Sequence, residues 1–157
     1  VVSGPPLPSV NVVTPSLDVS VILPPFLWQG GCPPPGDTLA RQGWKSLVLC
    51  AEEWTNAGLY QDIEVLCAPN QDNGLLTQKQ WERARSAARW VARRIEQNQK
   101  VLVTCMAGLN RSGLVTALVL HERMGWCGAR CVSHVKQARD EFALTNPAFV
   151  NALLSLK

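Results

Sequence analysis

Residues 101–113 read Val-Leu-Val-Thr-Cys-Met-Ala-Gly-Leu-Asn-Arg-Ser-Gly. An apolar, β-branched run leads into a short loop holding a thiol, Cys105, and a glycine, Gly108. The loop ends at Arg111, where an apolar helix is expected to begin. A loop that closes on a helix N-terminus turns several backbone N–H groups toward one point, which makes a natural anion site. Nearby N–H dipoles and an arginine favour the thiolate of a cysteine placed there, the form that attacks. Gly108 allows the backbone to turn inward where a Cβ would obstruct it. Arg111 supplies a planar fork able to hold two phosphate oxygens at once. Cys-x5-Arg thus sets a nucleophile beneath a bound phosphate, with Met106, Ala107, Gly108, Leu109, Asn110 and Arg111 as the cradle.

The remaining elements have to position that loop. Residues 17–23 alternate and are β-branched, and PPFLWQGG follows as a strand pair or turn. Residues 38–42 suit a short helix with Asp37 as N-cap. Short apolar runs at 44–50 and 63–67 predict buried strands, and 101–104 a third. The strongest helix pattern spans 77–98: Trp81, Ala84, Ala88, Val91 and Ile95 form one stripe, and Thr77 with Gln80 makes a capping box. Residues 112–124 predict a central, almost wholly apolar helix. Further helices are expected at 129–142 and 147–156, the last capped by Asn146 with Pro147 at its first position. Strands alternating with helices early and helices dominating late predict an α/β fold: a small, mostly parallel sheet flanked by helices.

The chain has 157 residues, 46% of them hydrophobic, with a net charge of +3. That length suits one domain with a real core. The mild charge gives no case for nucleic acid and fits an anionic group or a phosphorylated partner. Residues 1–16 carry four prolines and no period, and read as an extended N-terminal segment. The first basic residue is Arg41, so the charged start of a secretory signal is not expected within these residues. The apolar runs are too short or broken to span a bilayer. Six cysteines occur without any Cys-x-x-Cys pair, so free thiols in a reducing, cytoplasmic setting are expected rather than a disulfide framework. Zinc between Cys127, Cys131, His121 and His134 lacks the paired spacing such sites use. No metal or other cofactor is expected.

CMAGLNRSG resembles the active-site loop of the cysteine-based protein phosphatases, specifically the dual-specificity branch with its C-x-A-G-x-x-R-S form. The resemblance covers residues 17–157. VILPPFLWQGG is similar to that family's opening strand and turn, GWKSLVLC to its next strand, and ALTNPAFVNALL to its closing helix with an Asn-Pro-x-Phe start. It implies a central sheet of about five strands, no metal, and a phosphocysteine intermediate. By this match Cys105 is the nucleophile, Arg111 the phosphate clamp, and Ser112 the group that steadies the thiolate as it leaves. Thr104 departs from the pattern, standing where the family usually has His, though a hydroxyl there can still give a hydrogen bond. The family also keeps an acid Asp in the loop before its long helix. Here that is Asp72, thirty-three residues before Cys105. Asp62 and Glu64, at the start of a strand, are expected to face away from the site. The strand leading to Asp72 is expected to run beside the strand at 101–104.

The expected reaction is hydrolysis of phosphomonoesters on phosphoprotein, at phosphotyrosine and phosphoserine or threonine. The cradle carries no Lys or second Arg, unlike the Cys-Lys-x-Gly-Lys loops of relatives that take inositol phosphates. That speaks against highly phosphorylated lipid substrates. Other readings of the same residues are a phosphate-reading module without turnover, which Thr104 favours, an RNA or lipid phosphatase of the same fold, and a rhodanese-type sulfur-transfer domain. Arg111-Ser112 and Asp72 fit sulfur transfer poorly. Arg85, Arg89 and Arg93, one turn apart, have a solvated helix face as their ordinary reading and a docking face for an acidic partner or RNA as the other. Cys50 ends a strand that could approach Cys105, with buried structural packing as its ordinary role and a redox disulfide as the other.

Overall fold

A computed structural model describes residues 17–157; the extended segment expected at 1–16 lies outside the described residues. Five strands form one sheet: β1 (Val19–Leu23), β2 (Leu27–Gly30), β3 (Ser46–Ala51), β4 (Glu64–Asn70) and β5 (Val101–Thr104). Their order is β1-β2-β5-β3-β4. β1 runs antiparallel to β2, and every other neighbour pair is parallel. The α/β class and the small, mostly parallel sheet agree with the sequence.

Alternation along the inner strands sorts the core into two layers. Val48, Cys50, Val101 and Val103 face one way, into the larger core with α2 (Gln78–Glu96), α3 (Arg111–Met124), α4 (Gly128–Ala138) and α5 (Pro147–Leu154). Leu47, Leu49 and Leu102 face the other way and pack on Trp44, Tyr60 and Leu39 of the short α1 (Thr38–Arg41). α2 starts as its sequence dictates: the Thr77 side chain accepts from the Gln80 N–H, and the Gln80 side chain accepts from the Thr77 N–H. Residues 114–120 of α3 are all buried, as expected of a central helix with no polar face.

Four differences from the sequence reading have physical reasons. β4 runs through Pro69 to Asn70, three residues past its expected end, because an edge strand tolerates a missing N–H on its open side. It does not border β5, since β3 lies between them. Asp37 does not cap α1 with its side chain but pairs with Arg41 at 3.2 Å. α4 stops at Ala138 rather than at 142: Arg139 turns toward the Cys105 loop, and Asp140 accepts from the Phe142 N–H to form a turn.

Candidate active site

Because β2, β3, β4 and β5 are parallel, the loops that follow them open on the same edge of the sheet, where α/β sites gather. That edge collects Cys32 after β2, Glu53 after β3, Asp72 after β4 and the Cys105 loop after β5. The sequence places Asp72 and Cys105 together at this edge, and the fold does so even with β3 between their strands.

Cys105 is 4% exposed, at the floor of its loop. Its Sγ lies 3.2 Å from the Ser112 Oγ. The N–H groups of residues 106–110 find no acceptor among the described residues, so they remain available to an anion. The loop is held from behind through its carbonyls. The buried Gln29 Nε2 donates to the Gly108 oxygen at 2.9 Å, and Arg139 donates to the oxygens of Gly108 and Ala107 at 2.9 and 3.1 Å. The Cys32 N–H donates to the Met106 oxygen at 3.0 Å. With its carbonyls bonded behind it, the loop turns its N–H groups forward. Gly108 has φ +73°, and an added Cβ would sit 2.5 Å from the Gly30 carbonyl carbon. Only glycine fits there without displacing β2.

Arg111 is 8% exposed. Its Nη1 and Nη2 reach the two carboxylate oxygens of Glu53, and Nη1 also donates to the Asn70 carbonyl at 3.3 Å. A guanidinium has five N–H donors. Among the described residues three are engaged, which leaves Nε–H, buried and without a partner there, and one N–H of Nη2. Those two lie along one edge of the guanidinium plane, the bidentate geometry that holds two phosphate oxygens. Burial works against the Arg111 charge, but Glu53, Cys105 and Asp72 outweigh it and raise its pKa above the ordinary value. The hydrogen bond from Arg111 in turn holds Glu53 below the usual carboxylate range. Local sequence reasoning had no means of finding Glu53, because it meets Arg111 only through the sheet.

Asp72 is exposed, and its carboxylate accepts from the Asn110 and Asn146 side chains. Met106 is 40% exposed at the rim. The Thr104 hydroxyl donates to the Val48 carbonyl at 2.8 Å, tying β5 to β3, and so does not support the thiolate. Asp62 precedes β4, and Glu64 pairs with Arg94 on α2, so neither carboxylate is engaged at the Cys105 loop. Cys50 is 1% exposed on β3, one residue past the Leu49–Thr104 pair. Burial, reinforced by Cys105, pushes its thiol well above the ordinary range, against the smaller pull of Arg111. All six cysteines are free thiols. Among the described residues no group of three or more His, Cys, Asp or Glu is placed to hold a metal, and no helix is long and apolar enough to cross a membrane.

Compared with known proteins, residues 37–157 match the family described as dual specificity phosphatase, catalytic domain. No curated protein matches the sequence. Among solved structures, Tk-PTP in its active form superposes with a TM-score of 0.73 at 21% identity, over 87% of this chain and 95% of that one. Human DUSP28 gives 0.71 at 20% identity, over 88% and 91% of the two chains. PTPMT1, crystallised in complex with PI(5)P, gives 0.71 at 16% identity, over 88% and 93%. At these identities the likenesses speak for the fold.

Proposed function

The chain belongs to the dual specificity phosphatase family through the catalytic domain matched at residues 37–157, and from that premise we propose that it hydrolyses phosphomonoesters on phosphoprotein through a phosphocysteine intermediate. The phosphate settles on the N–H groups of residues 106–110 and on the two unengaged N–H groups of Arg111. The Cys105 sulfur attacks phosphorus, the ester P–O bond breaks, and the departing oxygen takes a proton from Asp72. Asp72, now a carboxylate, takes a proton from water as the water oxygen bonds to phosphorus. The S–P bond breaks, and the Ser112 hydroxyl donates to the thiolate that leaves. Positive charge from Arg111 and the N–H dipoles meets the charge that develops on the equatorial oxygens.

The observation that carries this reading is the pairing of a buried thiol with a cradle whose carbonyls are tied back and whose N–H groups are free. The choice of phosphoprotein over a polyphosphorylated substrate rests on charge. Arg111 is the sole cation in the 105–112 loop, and Glu53 and Asp72 border it. One phosphate is matched, while a second and third would meet carboxylates instead of cations. A phosphoinositide, the ligand in the PTPMT1 crystal, is the competing substrate. Initial rates on phosphotyrosine and phosphothreonine peptides, PI(5)P vesicles and a bisphosphorylated inositide distinguish the two. The expected result is the highest kcat/KM on phosphopeptide and the lowest on the bisphosphate. The reverse order would overturn the substrate assignment.

A further inference from the structure

Asn146 does more than start α5. As an N-cap it needs only its side-chain oxygen, which accepts from the N–H groups of Ala148 and Phe149 at 3.0 and 3.4 Å. Ser or Asp would serve that purpose as well. The amide nitrogen is surplus to capping, and both its hydrogens go to the loop after β4: Nδ2 donates to the Asp72 Oδ1 at 2.8 Å and to the Asn73 carbonyl at 2.8 Å. Asn146 is 7% exposed and all its hydrogen-bonding capacity is used.

Asn110 repeats the arrangement from the other side. Its Oδ1 accepts from the N–H groups of Thr145 and Asn146 at 2.9 and 3.0 Å, and its Nδ2 donates to the Asp72 Oδ2 at 3.2 Å. Its side chain is therefore turned away from the phosphate cradle. Each carboxylate oxygen of Asp72 is held by one side-chain amide, one from the Cys105 loop and one from the start of α5. Asp72 itself is exposed and stands on a loop, so without these two donors its χ angles would be free.

We propose that Asn146 is a positioning residue for the acid, and that Asn146 and Asn110 together fix the Asp72 carboxylate in register with the nucleophile's loop. The inference rests on Asp72 being the general acid. An acid held in place contributes most where the leaving oxygen needs its proton most, and misplacing it by about 1 Å can cost on the order of 10²-fold.

The test is a series of aryl phosphates of rising leaving-group pKa, from dinitrophenyl to phenyl phosphate, measured on wild type, Asn146→Ser, Asn146→Asp and Asp72→Asn. Ser keeps an oxygen that can cap α5 and removes the amide donor, so its thermal melting should stay near wild type; Asp also sets a second carboxylate against Asp72 and the Asn73 carbonyl, so its melting should fall. We expect kcat/KM to fall roughly 10- to 100-fold on phenyl phosphate in both Asn146 variants and progressively less as the leaving group becomes more acidic, paralleling Asp72→Asn. An equal loss on every substrate, or no loss, would overturn the positioning role. If Asp72→Asn shows no leaving-group dependence, it is the acid assignment that fails. Wild-type-like Asn146 variants beside a leaving-group-dependent Asp72→Asn overturn the positioning role alone.

Discussion

Glu53 shows how a residue outside every local motif comes to matter. Its carboxylate occupies the end of the Arg111 guanidinium and leaves the other edge for a ligand. The two residues are 58 positions apart, so no spacing rule links them. The Cys-x5-Arg unit and Ser112, by contrast, were legible because a strand, a loop and a helix start make one continuous stretch of chain. Glu53→Gln keeps the shape of the side chain and removes its charge. Glu53 is half exposed, so screening limits the effect, and we expect kcat/KM to fall roughly 5- to 10-fold with melting little changed. The sign of the pH dependence follows from a carboxyl pKa depressed by Arg111. The pairing is complete above the ordinary carboxylate range and is lost as pH falls through the depressed value. The difference between wild type and Glu53→Gln should therefore be flat from about pH 5 to 8 and shrink below about pH 4. A difference that shrinks near neutral pH would contradict this.

Elements with their own start and stop chemistry were readable one at a time. The Thr77–Gln80 capping box opens α2, and the Asn146-Pro147 start opens α5, as their sequences indicate. β5 has the expected bounds, 101–104. Relations between elements were not readable, because strand order and helix contacts depend on partners distant in sequence. Thus β3 came between β4 and β5, and α4 ended early where Arg139 reaches the Gly108 and Ala107 carbonyls. Gly128 belongs to the same class. It opens α4 against the end of α5: its N–H donates to the Leu156 carbonyl at 2.9 Å, and an added Cβ would lie 1.6 Å from the Leu153 oxygen. The obstacle is backbone, so relief requires one helix to move. Gly128→Ala should destabilise the fold by about 3 kcal/mol, read as a drop in Tm of roughly 6–12 °C. An unchanged Tm would show that the α4–α5 contact yields easily.

At the scale of the molecule, the sheet's parallel strands bring a thiol, a guanidinium and carboxylates from separate loops to one edge. Gln29 and Arg139 then tie back the loop between β5 and α3. Arg139 also pairs with Asp18 at 2.9 Å, so the residue that leads into β1 braces the same loop. The central claim is that this edge breaks phosphate esters through the Cys105 sulfur, with side chains supplying each step. The measurement that bears on it most directly is p-nitrophenyl phosphate turnover in the presence of a chelator, for wild type and Cys105→Ser. The account predicts steady turnover by wild type, unaffected by the chelator, and a loss of about 10³-fold or more in Cys105→Ser, because a serine hydroxyl is not ionised at neutral pH. Turnover that persists in Cys105→Ser, or that appears in wild type only when a divalent metal is supplied, would contradict it.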